Sequence, residues 1–179
     1  MGWFWNRRKQ PPDSPSEPLG VRPESGERPI VLSRDPTDAE IRTAVGAWIG
    51  LMADGDYPRA VASVFQNPCP PDDFRERVET FGVNLGQIRQ KAVNALRGQG
   101  AKVDDPPPFP PEWSARARVV PAPAELLDAI EIHRESIPRN AVAWLGFHVP
   151  LDNGFGIWTT MGVMRDAGRC ILEFEIFHM

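Results

Sequence analysis

Ile171-Leu172-Glu173-Phe174-Glu175-Ile176-Phe177-His178-Met179 closes the chain on an alternation with the two-residue period of a β-strand. Cys170, Leu172, Phe174, Ile176 and His178 fall on one face, and Glu173 and Glu175 on the other. The chain stops inside this strand, so its C-terminus is expected to belong to the folded core. Working backwards, Arg165-Asp166-Ala167-Gly168-Arg169 reads as a turn. Phe155–Met164 is a strand with Phe155, Ile157, Met161 and Val163 on one face and Trp158 on the other. Asp152-Asn153-Gly154 is a hairpin signal, because Asn and Gly accept the positive φ of tight turns. Ala141–Val149 is apolar on both faces, as a strand covered on both sides would be. Leu126–Glu135 supplies a first strand, with Leu126, Asp128, Ile130 and Ile132 on one face and Glu131, His133 and Glu135 on the other. Four strands in direct succession predict a curved antiparallel meander.

An apolar sheet face needs a cover, and the sequence before it is helical. Thr37 and Glu40 have the spacing of a capping box, and Ile41, Ala44, Val45, Trp48, Ile49 and Met52 form one stripe. Gly55 is the expected stop, since glycine takes the left-handed conformation after a helix cheaply. Pro58 opens a second short helix through Ala60, Val61 and Val64. Asp72 is expected to cap a third helix carrying Phe74, Val78 and Phe81. Gly82 is expected to interrupt it, and Leu85, Ile88, Ala92 and Leu96 continue the stripe. The proline-rich stretch near 103–123, with Pro106-Pro107-Pro108-Phe109-Pro110-Pro111 at its centre, reads as a stiff loop. The expected class is therefore α+β, with N-terminal helices on a C-terminal four-stranded sheet.

Residues 1–35 carry six prolines among Ser, Glu, Gly and Arg and read as a disordered arm, which leaves residues 36–179 as one domain. The arm's tip, Met1-Gly2-Trp3-Phe4-Trp5-Asn6-Arg7-Arg8-Lys9, is different. Trp3, Phe4 and Trp5 beside three cations could touch an anionic membrane weakly. The chain of 179 residues has a net charge of −4, which argues against a nucleic-acid partner. No run of 18 apolar residues and no secretory signal is found, and the two cysteines, Cys69 and Cys170, read as reduced thiols, so the expected location is the cytoplasm. Arginine outnumbers lysine 17 to 3, a bias of GC-rich bacterial genomes.

Chemistry-bearing motifs are sparse. No glycine-rich phosphate loop, His-Glu-x-x-His, Cys-x-x-Cys or Gly-x-Ser-x-Gly elbow occurs, and the three histidines lack metal-ligand spacing, so neither a cofactor nor a metal is expected. Asp128 and His178 are the one pair that could serve as acid and base, each on the expected core side of its strand. Trp48, Trp144, Trp158 and Phe174 are the aromatics placed to line a pocket or a binding face.

An amphipathic helix, the acidic turn Gly55-Asp56-Tyr57, further helices and a closing antiparallel sheet resemble the NTF2-like superfamily. Asp152-Asn153-Gly154, Thr159, Ile176 and His178 are similar to the last hairpin and strand of small bacterial domains of that kind. The resemblance covers about Pro36–Met179 and is loosest across Gln66–Pro123. It implies a cone-shaped α+β fold whose pocket or open sheet face carries any function. The first expectation is a non-enzymatic module that binds a protein partner or a second copy of itself through Trp144 or Trp158. Immunity or accessory proteins of bacterial toxin systems, where an acidic inhibitor covers a basic toxin, fit by analogy of fold. The alternative is an isomerase-, dehydratase- or cyclase-type enzyme, or a carrier of a small ligand, with an apolar pocket served by Asp128 and His178.

Overall fold

Thr37 starts the first helix, as its sequence spacing predicts. In the computed structural model its hydroxyl oxygen accepts from the Glu40 amide at 3.2 Å. The Glu40 carboxylate accepts mainly from the amide and hydroxyl of Ser33, which ties the preceding strand to the helix, and more weakly from the Thr37 amide; these hydrogen bonds hold its carboxyl below the usual range. The structure describes residues 29–65, 69–104, 111–135, 137 and 140–177. Helix α1, Asp38–Ala53, buries all six stripe residues, and Gly55 at φ +78° ends it. Asp56 caps α2, Tyr57–Ala62, by accepting from the Arg59 amide at 3.2 Å. Helix α3 spans Pro71–Glu79 and begins on Pro71, so Asp72 lies in the first turn and is not the cap. The break falls at Thr80, and α4 runs Phe81–Gly98. Its expected stripe reaches the core only at its start: Leu85 packs against it, whereas Ile88 and Leu96 are 42% and 45% exposed. A short 3₁₀ turn, Pro111–Ser114, and α5, Ala124–Asp128, complete the helices.

The sheet is open, five-stranded and antiparallel, ordered β1-β5-β4-β3-β2. Its strands are β1 (Val31–Leu32), β2 (Glu131–His133), β3 (Ala141–Pro150), β4 (Gly156–Asp166) and β5 (Arg169–Phe177). The meander expected from the sequence is β2 to β5. The fifth strand was not expected: Val31 and Leu32 pair with Ile171 and Cys170, inside the stretch read as a disordered arm. The first expected strand is also corrected. Leu126 to Asp128 are helical: the carbonyl of Pro123, the extended N-cap residue, accepts from the Leu126 and Leu127 amides, and Leu127 packs on α1, 3.2 Å from where a Gly46 Cβ would lie. Only Glu131–His133 remain extended there.

Both tight turns behave as their sequences predict. Leu151 donates to the Phe155 carbonyl at 2.9 Å around Gly154, which has φ +78°. Ala167 and Gly168 both adopt positive φ, 45° and 85°, the geometry that suits the twist of a two-residue hairpin.

The core lies between one sheet face and helices α1 to α3. Leu145, Phe147, Val149, Ile157, Met161, Val163 and Leu172 meet Ile41, Val45, Trp48, Ile49, Met52, Phe74 and Val78 there. Within β5 the alternation is interrupted. Thr160 pairs with Ile176 and Met161 with Phe174, so Glu175 is the extra residue of a β-bulge. The next core position after Phe174 is therefore Phe177, whose ring stands 5.0 Å from Phe174 and 5.3 Å from Phe74, where simple alternation predicted Ile176. Among the described residues, no helix is long and apolar enough to cross a membrane.

Candidate functional site

The second face of the sheet is where the unexplained chemistry collects. The register lays its positions out in rows. Val31, Ile171, Met164 and Ala141 form one row; Glu173, Gly162, Trp144 and His133 the next; Thr160, Gly146 and Glu131 a third; Trp158 and His148 a fourth. The strand read as covered on both sides, β3, is covered on one: Trp144 is part-buried and His148 is exposed on this face.

Glycines let the two tryptophans lie down. A Cβ on Gly146 would stand 2.6 Å from Cζ2 and 2.9 Å from Cη2 of Trp158, so the indole occupies the space that any other residue would need. Trp144 lies against Gly162 in the same way but more loosely, with Cζ3 3.7 Å from the equivalent point. His148 meets Trp158 edge-on, with ring centres 4.9 Å apart, and itself rests on Gly156. The Glu131 carboxylate approaches the same spot over Gly146 at 3.6 Å, and its oxygen is 3.3 Å from His133 Nε2. The result is a shelf of two indoles and Met164, with an acidic group on each side.

On the β5 side those groups are Glu173 and Glu175. Partial burial pushes the Glu173 carboxyl above the usual 4.5. Glu175 is also raised, first by burial and then by the neighbouring Glu173 charge, while a Thr160 hydrogen bond works the other way. Between the strand ends, the described positions of this face carry no Lys or Arg; Arg169, at the turn, is held 3.2 Å from Asp166. Two neighbouring carboxylates raised by partial burial, beside half-buried aromatic rings, suit a cationic, apolar-rich partner.

The residues singled out from the sequence therefore divide. Trp144 and Trp158 come together on this face. Trp48 and Phe174 are on the other side, in the core. Trp48 is fully buried, donates from Nε1 to the Ala60 carbonyl at 3.0 Å, and packs within 6.3 Å of the Phe74, Phe147 and Phe174 rings. These rings pack against one another beneath α1. Asp128 is not a pocket carboxylate: it is exposed on α5. Its proposed partner His178 lies outside the described residues, as do Trp3, Phe4 and Trp5. No group of three His, Cys, Asp or Glu suited to a metal occurs among the described residues. Sequence reading missed His148, Glu131, Glu173 and the glycines under the rings. The signal was Trp144-x-Gly146 and Trp158-x-x-x-Gly162, small residues two and four places from an aromatic on one strand face.

No family model matches the chain, and no curated protein or solved structure matches it.

Proposed function

We propose that this chain is a non-enzymatic NTF2-like module of the bacterial cytoplasm that recognises a protein through the outer face of its sheet. The observation that carries the reading is the Trp144–Trp158 shelf laid over Gly146 and Gly162 and flanked by Glu131 and Glu173. Part-buried aromatics held on a rigid sheet bury their remaining area at small entropic cost, and carboxylates at the rim choose a basic counterpart. An acidic, aromatic face of this kind suits an immunity or accessory protein that covers a basic toxin. The ring packing around Trp48 favours binding on the surface over chemistry in an interior pocket.

The test compares the full-length protein with W144A and W158A variants. Each is used to capture partners from lysate of the native host cell, and each is sized by light scattering at high micromolar concentration. A stoichiometric basic protein retained by the parent and lost by both variants supports the reading. Self-association lost by both variants supports the homodimeric form. Capture and size unchanged by both substitutions refutes the outer face as the recognition surface.

A further inference from the structure

The outer face sets half-buried aromatics beside carboxylates, and the same chain contains a segment of matching chemistry. We propose that Trp3-Phe4-Trp5-Asn6-Arg7-Arg8-Lys9 docks in cis on the outer sheet face, its aromatics against Trp144, Trp158 and Met164 and its cations beside Glu131 and Glu173. The proposal rests on reading that face as a recognition surface and adds its regulation: the tip is a tethered competitor that an incoming partner displaces.

Three observations carry it. The first is charge. The tip has three cations and no carboxylate, whereas the face between its strand ends carries Glu131, Glu173 and Glu175 and no Lys or Arg among the described residues. Of the other exposed apolar residues, Phe65 bridges Glu173 at the β5 edge, whereas Ile88 and Leu96 on α4 are interleaved with Arg89, Lys91 and Arg97 and would repel the same tip. The second is position. The described chain begins at residue 29, directly before β1, and β1 is the edge strand beside β5. Val31 belongs to the outer face, is 45% exposed, and pairs with Ile171. The chain thus enters the fold at the margin of this face and on the side of Glu173. The third is length. Residues 10–28 link the tip to that point. A coil of this length spans roughly 25 Å on average and about 60 Å as extended polyproline, whereas β5 and β3 are only about 10 Å apart. A tether in that range gives an effective concentration of order millimolar, so even weak intrinsic contacts are populated. A membrane draws on the same aromatic and cationic side chains, but a single short tip binds it weakly and reversibly.

The experiment uses the full chain labelled with 5-fluorotryptophan. Its six tryptophans are assigned by single Trp→Phe substitutions and compared with those of a W3A/W5A variant, altered only in the tip itself. The expected result is that the Trp144 and Trp158 fluorine resonances move by more than a linewidth, while Trp48, on the opposite face, does not. A triple R7E/R8E/K9E variant moves the same two resonances in the same direction, and tenfold dilution leaves the spectrum unchanged. Stationary Trp144 and Trp158 resonances overturn the proposal. Shifts that disappear on dilution also overturn it, by placing the tip on a second copy. A third contrary result is a face that ignores the substitutions while Trp3 and Trp5 respond only to anionic vesicles; the tip is then a membrane contact. Stationary resonances together with partner capture still lost in W144A and W158A would remove the docking and keep the recognition face. Moving resonances with capture unaffected would do the reverse.

Discussion

Gly146→Ala is the sharpest single perturbation of this molecule, because one methyl group tests whether the outer face is built or incidental. The added Cβ would stand 2.6 Å and 2.9 Å from two carbons of the Trp158 ring. An indole has no flexible end to yield. It must swing as a unit, and its edge contact with His148 at 4.9 Å goes with it. Overpacking of this kind costs about 1–3 kcal/mol. Replacing a strand glycine returns about 0.5–1 kcal/mol of backbone entropy. The net expectation is a loss of about 1–2 kcal/mol, a fall in urea midpoint of about 0.5–1 M at a slope near 2 kcal/mol/M. Gly162→Ala is the control. Its Cβ meets mainly the Met164 Sδ at 3.1 Å, on a flexible side chain, so its midpoint should hold or rise slightly. The decisive arm is the double mutant. In a Trp158→Ala background the clash is gone, so Gly146→Ala should change sign and stabilise by about 0.5 kcal/mol or more. Chemical denaturation followed by circular dichroism reads all four proteins. A Gly146→Ala protein as stable as the parent, or a loss that persists without Trp158, would refute the packing argument.

Trp48→Phe should cost about 1–3 kcal/mol, since it removes ring volume from a fully buried site and one of two side-chain hydrogen bonds on the Ala60 carbonyl, leaving the one from the Ser63 hydroxyl; thermal unfolding reads it as a drop of several degrees. Tyr57 is the only tyrosine, and burial, then the Glu79 charge, pushes its phenol up to about 12. Ultraviolet titration should show no ionisation near 10 in the folded protein, and stability should fall as pH rises past 10, because only the unfolded chain then releases that proton. Glu173→Gln should stabilise the protein at pH 7. Its folded carboxyl titrates above 4.5, so the native state holds the proton longer, and the advantage of the variant should shrink as pH falls towards 4.5. An advantage independent of pH would show that the carboxylate is not desolvated in the fold.

Local signals were legible and non-local ones were not. Helix α1 could be read because its cap, stripe and stop are all encoded within a few turns, at Thr37, Ile41 to Met52 and Gly55. The turns at Gly154 and Gly168 were legible for the same reason: a positive φ selects its residue. Leu126–Glu135 misled because Leu126, Ile130 and Ile132 also satisfy a strand, and the arbiter is contact with Gly46, some eighty residues earlier. The bulge at Glu175 was invisible in principle. Phe174-Glu175-Ile176-Phe177 alternates well on its own, and only pairing with β4 and the reach of Phe74 from α3 place Phe177 in the core. Helix α4 shows the converse: its stripe is real, but beyond Leu85 it turns to solvent, with Ile88 and Leu96 42% and 45% exposed. Half of the site was legible, since Trp144 and Trp158 were marked as aromatics of an outer face. The glycines beneath them required the register.

The same carboxylates that shape the face also set how its occupancy must depend on pH. Glu173 and Glu175 are held above their ordinary range because partial burial penalises their charge. A cation laid beside them supplies what solvent does not, so an occupant such as the Arg7–Lys9 tip binds the ionised form and releases protons as it docks. Occupancy is therefore full above the raised pKa and is lost as pH falls through it. Glu131 and His133 on β2, 3.3 Å apart, and His148 on β3 also face the site. Asp166 and Arg169 neutralise each other at the turn. Acidification from pH 7 towards pH 4.5, the ordinary value for a glutamate, should thus erase the Trp144 and Trp158 fluorine shifts that depend on Trp3 and Trp5. A Glu173→Gln/Glu175→Gln protein should show a smaller shift at pH 7 and a flatter profile. A shift that grows on acidification would mean that the face selects its occupant by apolar contact alone, and the acidic rim would then have no part in recognition.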